Sequence, residues 1–361
     1  MESCFTIDAK YGSRTWIFLF MEANMEFFGL SLFGGLSGGL LLVVAAVIFI
    51  VGLILTIKGG DWFVDSASWF AEATGIPKFV VGATVVSFAT TLPELLVSVR
   101  AAMNGSAQLA IGNAIGSVTA NTTLIMGVSL VAMAGVISRK EFSLKGCLLL
   151  AAIVGLTILS LNHYLPVWSA AILWTIFLAF MISNLIDGKK SASLEKSDHY
   201  EKKDIPSKLL FFVLGTAAII FGAEFLVSSG KTIAAGFGIS EAVIGFTVIA
   251  LGTSLPELVT TLTAIRKKEN SLSVGNIIGA NIIDATLILP LCAVINGKAL
   301  PVEKINLTFD FPLCITACAV AIIPTIIQGK FKKWQGYALL AIYAFYMLFL
   351  VLNETGVIAL G

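Results

Sequence analysis

Two glutamates, Glu94 and Glu257, carry the chemistry that this sequence offers. Each follows a proline, Pro93 or Pro256, inside a long apolar run: SFATTLPELLVSV over residues 87–99 and ALGTSLPELVTTL over 250–262. A carboxylate held in hydrocarbon costs roughly 2.5 kcal/mol or more. Proline has no N–H, so the carbonyls four residues back, of Ala89 and Gly252, lose their helical partners, and the kink loosens those of Thr90 and Thr253. Free carbonyls at membrane depth are tolerated only against protein or a wet cavity. With the hydroxyls of Thr90, Thr91, Thr253 and Ser254, each Pro-Glu pair gathers a cluster of oxygens. A bound cation would remove the cost of the carboxylate.

A second motif extends the cluster. In GNAIGSVTAN (112–121), Gly112 and Gly116 allow close helix approach, and Asn113, Ser117 and Asn121 recur every four residues on one helix face. In GNIIGANIID (275–284), Gly275, Asn276, Gly279 and Asp284 take the matching places. Asp284 replaces Asn121 and adds one negative charge. Three carboxylates with neutral oxygens suit a hard cation such as Ca²⁺, which takes 6–8 oxygens at about 2.3–2.6 Å. Na⁺ is also hard and of similar radius, so competition for one oxygen cage is a physical route to exchange.

The elements that position these residues follow from composition. The chain has 361 residues, 57% hydrophobic and 12% charged, with a mean hydropathy of +0.95. Soluble domains carry roughly 25% charged residues. The runs are continuous and long enough to cross the ~30 Å hydrocarbon core, which points to an all-α polytopic membrane protein in the lipid bilayer, not a β-barrel. Ten helices are expected, over 39–72, 77–102, 107–134, 144–162, 166–186, 207–234, 241–266, 271–296, 309–328 and 334–353. A net charge of +1 gives a nucleic-acid partner no support. Cys4, Cys147, Cys292, Cys314 and Cys318 form no CxxC pair and read as buried free thiols, and His163 and His199 fall in loops, so no zinc, haem or other cofactor is expected.

Displaced by 163, residues 82–125 align with 245–288 without a gap, and 17 of 44 positions are identical. Asp61 and Glu224 align under the same displacement, as do Gly59 and Gly222; Asp65 has no acidic counterpart and is expected to be solvated at the interface. The polar stretch 187–206 divides the ten helices into five (39–186) and five (207–361). An odd number per half makes this an inverted-topology repeat, the plan of alternating-access transporters with a site near the midplane. With the central loop in the cytoplasm, Lys78, Arg139, Lys140, Lys145, Arg266, Lys267, Lys268, Lys330, Lys332 and Lys333 share its side, against Lys10, Arg14, Arg100, Lys231, Lys298 and Lys304. The positive-inside rule then places both termini outside. Residues 1–38 read as an N-terminal extension, with Met25 an alternative start. The loop is ~20 residues, too short for a regulatory domain, since domains begin near ~50 residues.

At these motifs the sequence resembles the cation/calcium exchanger superfamily, and within it the short prokaryotic sodium/calcium exchangers. GTSLPEL and GNIIGANIID are similar to its second-repeat motifs, ATTLPEL and GNAIGSVTAN to its first-repeat ones. The resemblance implies a Na⁺/Ca²⁺ antiporter of the cell membrane, working mostly as Ca²⁺ extrusion, with the first helices of the two halves sliding to gate access and no obligatory protein partner. It implies Ca²⁺ bound by Glu94 and Glu257 with oxygens of Thr90 and Thr253, Asn121 and Asp284 lining the central position, and Ser117, Ser254, Thr91 and the Ala250 carbonyl at sodium positions. Ala280 departs from the pattern: a methyl stands where the family often has a serine hydroxyl, which bears on how many sodium ions are exchanged. Asp284 is shared with potassium-dependent exchangers, and the acid and histidine of proton-coupled ones are missing. The alternative is H⁺-coupled or K⁺-dependent exchange of Ca²⁺ or another divalent ion. An intramembrane aspartyl hydrolase would need an Asp where Asn121 stands, so an enzyme is not expected. A channel would draw its symmetry from oligomerisation, whereas here it is internal.

Overall fold

The structure, a computed structural model, describes residues 38–105, 107–133, 139–192, 202–237 and 252–354. The main helices are α1 (Gly38–Thr74), α2 (Lys78–Thr90), α3 (Leu92–Met103), α4 (Ala107–Met133), α5 (Arg139–Leu159), α6 (Ser169–Ala192), α7 (Ile205–Gly236), α8 (Leu255–Arg266), α9 (Asn270–Asn296), α10 (Asn306–Gln328) and α11 (Lys333–Glu354). Among the described residues, eight of these are long and apolar enough to cross a membrane, and α2 with α3, bent by 47°, makes a ninth. The tenth expected span, 241–266, is represented by α8 alone, because 238–251 lie outside the described residues.

The centre of the protein is built on α4 and α9. Small and branched residues along them, among them Ala110, Ala114, Ile115, Ile277, Ile278 and Ile282, are buried on all sides by neighbouring helices. By contrast α1 and α7 present Leu40, Val43, Val47, Ile50, Leu209 and Val213 outward, as helices facing hydrocarbon do. These two outer helices cross where glycines meet. A methyl added to Gly52 would lie 2.9 Å from Gly222 O, and one added to Gly59 would lie 2.9 Å from Gly215 O. Ascending positions on α1 meet descending ones on α7, so the two run antiparallel with their backbones in direct contact.

The 163-residue displacement holds at the level of single elements. It carries α3 onto α8 and α4 onto α9 with coincident ends. It carries a π-helical turn at Asn121–Ile125 onto another at Asp284–Ile288. The residue that breaks the helix before α3, Thr91, has φ −83° and ψ 2°; before α8, Ser254 has φ −84° and ψ 5°. After α3 the chain turns through Gly105 at φ 76°, and after α8 through Lys268 at φ 62°.

Most boundaries fall within a few residues of those expected. Two differ more: α5 begins at Arg139 instead of 144, and α6 continues to Ala192, taking six residues from the expected loop. Lys189 and Lys190 suit the carbonyl end of a helix, and Asp187 is bonded to the buried Lys145 of α5 at 2.6 Å, which holds this end of α6 against the bundle. Cys147 is exposed, against the expectation of a buried thiol, because it lies on the outer face of α5; Cys292, Cys314 and Cys318 are buried, and Cys4 and His199 lie outside the described residues.

Tyr164–Leu165 and Leu300–Pro301 form a short antiparallel ribbon, so the loops after α5 and α9 share one side of the protein. Other ion pairs gather around the start of α2 and the end of α8: Lys78 with Glu72 (2.7 Å) and Glu269 (2.8 Å), and Arg266 and Lys267 with Asp61 and Asp65 of α1, Lys267 at 2.6 Å from Asp65. Asp65 is therefore paired as well as partly solvated; its partner lies too far along the chain for sequence spacing to reveal. Pro324, inside α10, deprives Val320 O of its helical donor, and the buried Gln335 amide of α11 supplies one instead at 2.9 Å.

Candidate functional site

Pro93 and Pro256 each occupy the first turn of a helix, where the missing N–H costs nothing and Glu94 and Glu257 are favoured by the positive end of the helix dipole. The break at Thr91 also leaves the carbonyl end of α2 facing the start of α3. A helix interrupted in this way offers anion-friendly N–H groups on one side and cation-friendly carbonyls on the other.

Glu94, Glu257 and Asp284 are all fully buried. They are near enough to repel: Glu94 feels both of the others, and Asp284 feels Glu257. Five of the six carboxylate oxygens have no hydrogen-bond donor; the exception is Glu257 Oε1, 3.2 Å from the Thr91 hydroxyl. No lysine or arginine among the described residues pairs with them. Asn121 is buried with neither amide atom bonded, and the Ser254 hydroxyl is also buried without a partner. Asn121 and Asp284 each open a π-helical turn, a local widening that recurs where a helix carries a functional group.

The two halves interlock through their asparagines. Thr253 flanks the Glu94 carboxylate, yet its hydroxyl donates to Asn113 Oδ1 at 3.2 Å. Thr90 flanks Glu257, and its hydroxyl lies 3.3 Å from Asn276 Oδ1. These two contacts are equivalents under the 163-residue displacement. Ser117 Oγ lies 3.3 Å from Thr253 Oγ1. On α9, a Cβ at Gly279 would fall against Ser87 Oγ and Ala83 O of α2, so glycine is what lets these helices approach.

The structure thus brings Glu94, Glu257, Asp284, Thr90, Thr91, Thr253 and Ser117 into one buried polar region, with Asn121 and Ser254 buried beside their sequence neighbours. Ala250 lies outside the described residues. Among the described residues, no group of three or more His, Cys, Asp or Glu side chains is tight enough to hold a metal ion alone. A cation here needs the neutral oxygens too. The roles of Asn113 and Asn276 were not evident from spacing, although both recur in register within the GN dipeptides.

A family model described as sodium/calcium exchanger protein matches residues 44–186 and 207–352. The sodium/calcium exchanger MaX1 of Methanosarcina acetivorans is 30% identical over 356 residues, covering 86% of this chain and 99% of that protein. The inner membrane protein YrbG of Escherichia coli is 35% identical over 265 residues, covering 70% of this chain and 81% of that protein. Among solved structures, the sodium-calcium exchanger NCX_Mj, soaked with Na⁺ and Sr²⁺, superposes with a TM-score of 0.75 at 28% identity, over 85% of this chain and 98% of that one. The matched regions take in both halves and both sets of motifs, and the chain belongs to the sodium/calcium exchanger protein family, a family of transporters.

Proposed function

We propose that the protein is a secondary antiporter that exchanges Na⁺ for Ca²⁺ across the cell membrane by alternating access. The observation that carries this reading is the trio of buried carboxylates, five of whose six oxygens lack donors and whose charge no side-chain cation among the described residues offsets. Uncompensated charge of this kind is strongly destabilising in a protein interior, and a bound cation compensates it. Glu94 and Glu257, with oxygens of Thr90 and Thr253, are the Ca²⁺ ligands, and Asn121 and Asp284 line the centre. Ser117, Ser254, Thr91 and the Ala250 carbonyl serve Na⁺. Shared oxygens make the two ions compete, which couples their movements.

Ten helices in two inverted five-helix halves complete the proposal. The antiparallel crossing of α1 and α7 supports inversion, and the glycine contact between them suits sliding. The central loop faces the cytoplasm and both termini face outward, with Ca²⁺ extrusion as the working direction. Ca²⁺ and Na⁺ are the transported ions and no resident cofactor is needed. Ala280, fully buried and without a hydroxyl, is the observation that keeps a second reading, H⁺-coupled or K⁺-dependent exchange of Ca²⁺ or another divalent ion.

The test is ⁴⁵Ca²⁺ uptake into Na⁺-loaded proteoliposomes diluted into Na⁺-free buffer. Uptake that needs the outward Na⁺ gradient and disappears in Glu257→Gln is expected. Uptake indifferent to Na⁺ and driven by a proton gradient would replace this reading with the proton-coupled one; uptake that also needs K⁺ would add K⁺ to the cycle.

A further inference from the structure

A hydroxyl that binds a cation must present lone pairs to it, and its single proton must go elsewhere. Thr253 sends its proton to Asn113 Oδ1, which can only accept. The orientation of that amide is itself fixed by chemistry. Asn113 Nδ2 faces the Glu94 backbone carbonyl at 3.3 Å and Ser98 Oγ at 2.9 Å, and the carbonyl tolerates only a donor. The oxygen of the amide therefore has to face Thr253. With the Thr253 proton so directed, Ser117 is the donor in its 3.3 Å contact with Thr253. The protons run one way, from Ser117 to Thr253 to Asn113, and lone pairs of both hydroxyls stay available beside Glu94.

The second half lacks the anchor. Asn276 accepts from Thr90, but its Nδ2 is buried without a partner, as is the hydroxyl of Thr261, which stands at the position equivalent to Ser98. The same asparagine is thus fixed in one copy and unanchored in the other.

We infer that Asn113 is a positioning residue for cation binding: by fixing the direction of the Ser117–Thr253 hydroxyl chain it makes Thr253 an obligate acceptor toward the ion. This rests on the cation site proposed above. Thr253 is the residue through which Asn113 acts, so removing Asn113 matters only while the Thr253 hydroxyl is present.

The experiment is a double-mutant cycle read by ⁴⁵Ca²⁺ binding to the purified full-length protein. Asn113→Leu, similar in volume but without an acceptor, is expected to weaken Ca²⁺ binding about tenfold, the scale of a hydrogen bond that orients a group toward a charge. Thr253→Val weakens it as well, and the double variant binds no more weakly than Thr253→Val alone. A merely structural role for Asn113 predicts multiplied losses in the double variant, and that result, or an Asn113→Leu variant that binds as the wild type does, overturns the inference. If Asn113→Leu does not fold, Ser98→Ala, which loosens the amide while leaving the hydroxyl chain in place, runs in the same cycle with a smaller expected loss. Glu94→Gln is measured alongside: retained Ca²⁺ binding in that variant overturns the cation site itself, an outcome distinct from an additive cycle.

Discussion

The two halves of this protein share helix ends, break dihedrals and π-helical turns, yet they are not chemically equal. The first half holds Asn121 where the second holds Asp284. The first anchors the Asn113 amide on both sides, and the second leaves the Asn276 amide nitrogen without an acceptor. Arg266 and Lys267 at the end of α8 hold Asp61 and Asp65 of α1, whereas the equivalent positions after α3 are Met103 and Asn104. A repeated backbone supplies two equivalent Pro-Glu helix starts and two equivalent π-helical turns; differences in side chains decide where the charge sits and which end is tied. The backbone teaches symmetry and the side chains teach direction.

The largest expected effect comes from making the halves equal. Asp284→Asn removes one of three carboxylates and leaves Asn facing Asn. Loss of a fully charged ligand is expected to weaken Ca²⁺ binding by about 100-fold, on the scale of 3 kcal/mol for a broken buried charge pair, with a smaller loss for the monovalent Na⁺. Adding Asn121→Asp restores the charge from the other half. Recovery of most of the Ca²⁺ affinity in the double variant, measured by ⁴⁵Ca²⁺ binding, shows that the half-sites are interchangeable; no recovery shows that Asp284 acts through its place in the second half.

The crossing of α1 and α7 comes next. Gly59→Val puts side-chain atoms where Gly215 O already lies at 2.9 Å from the first of them. Overpacking of this kind costs about 1–3 kcal/mol. A lower unfolding temperature in detergent and slowed exchange are expected. The same change at Gly275, whose added Cβ would fall against Phe79 O of α2, is expected to cost at least as much. A smaller loss there would break the comparison between the outer crossing and the inner motif.

Much of this was readable from residues. Pro93 and Pro256 announce a helix start, and α3 and α8 begin one residue before each. The 163-residue displacement pairs α3 with α8 and α4 with α9, and Thr91, one of the motif hydroxyls, lies against Glu257. Other features depend on partners distant in sequence. Thr91 reaches Glu257 across 166 positions, and Asp65 meets Lys267 across 202. The π-helical turns at Asn121 and Asp284 are not marked by any residue type peculiar to the motifs. Pro324 carries the same local signal as the site prolines, but Gln335 satisfies the carbonyl it frees. Only tertiary structure separates a proline that leads into a buried, unpaired carboxylate from one that is merely accommodated.

The tie between α1 and α8 sharpens the comparison further. Its groups are partly exposed, so each pair contributes less than about 1 kcal/mol after solvent screening. Arg266→Gln with Lys267→Gln is expected to change the balance between the two access states a few-fold, not to abolish transport. Spin-label distances between α1 near Asp61 and Asp65 and the end of α8 should lengthen in the variant, and raised salt should mimic the effect in the parent protein. A distance distribution unmoved by both changes would show that packing, with Thr263 Oγ1 against Gly60, holds the end of α8 on α1 without help from charge.

The smallest expected effect isolates backbone from side chain. Gly105 and Lys268 occupy equivalent turns at φ 76° and 62°. Glycine enters this region freely, while an L-residue with a Cβ pays about 1–2 kcal/mol. Lys268→Gly relieves that cost but gives back up to about 1 kcal/mol by loosening the unfolded chain. A net gain of about 0.5 kcal/mol is expected, seen as a slightly higher unfolding temperature. Gly105→Lys should lose a similar amount. The turn bonds, Gly105 N to Ala102 O and Lys268 N to Ile265 O, are retained in both variants, so the difference reports the left-handed backbone alone. If Lys268→Gly destabilises, the lysine side chain itself contributes at this end of α8, as Arg266 and Lys267 do beside it, and the second half owes its rigidity here to side chains where the first relies on its backbone.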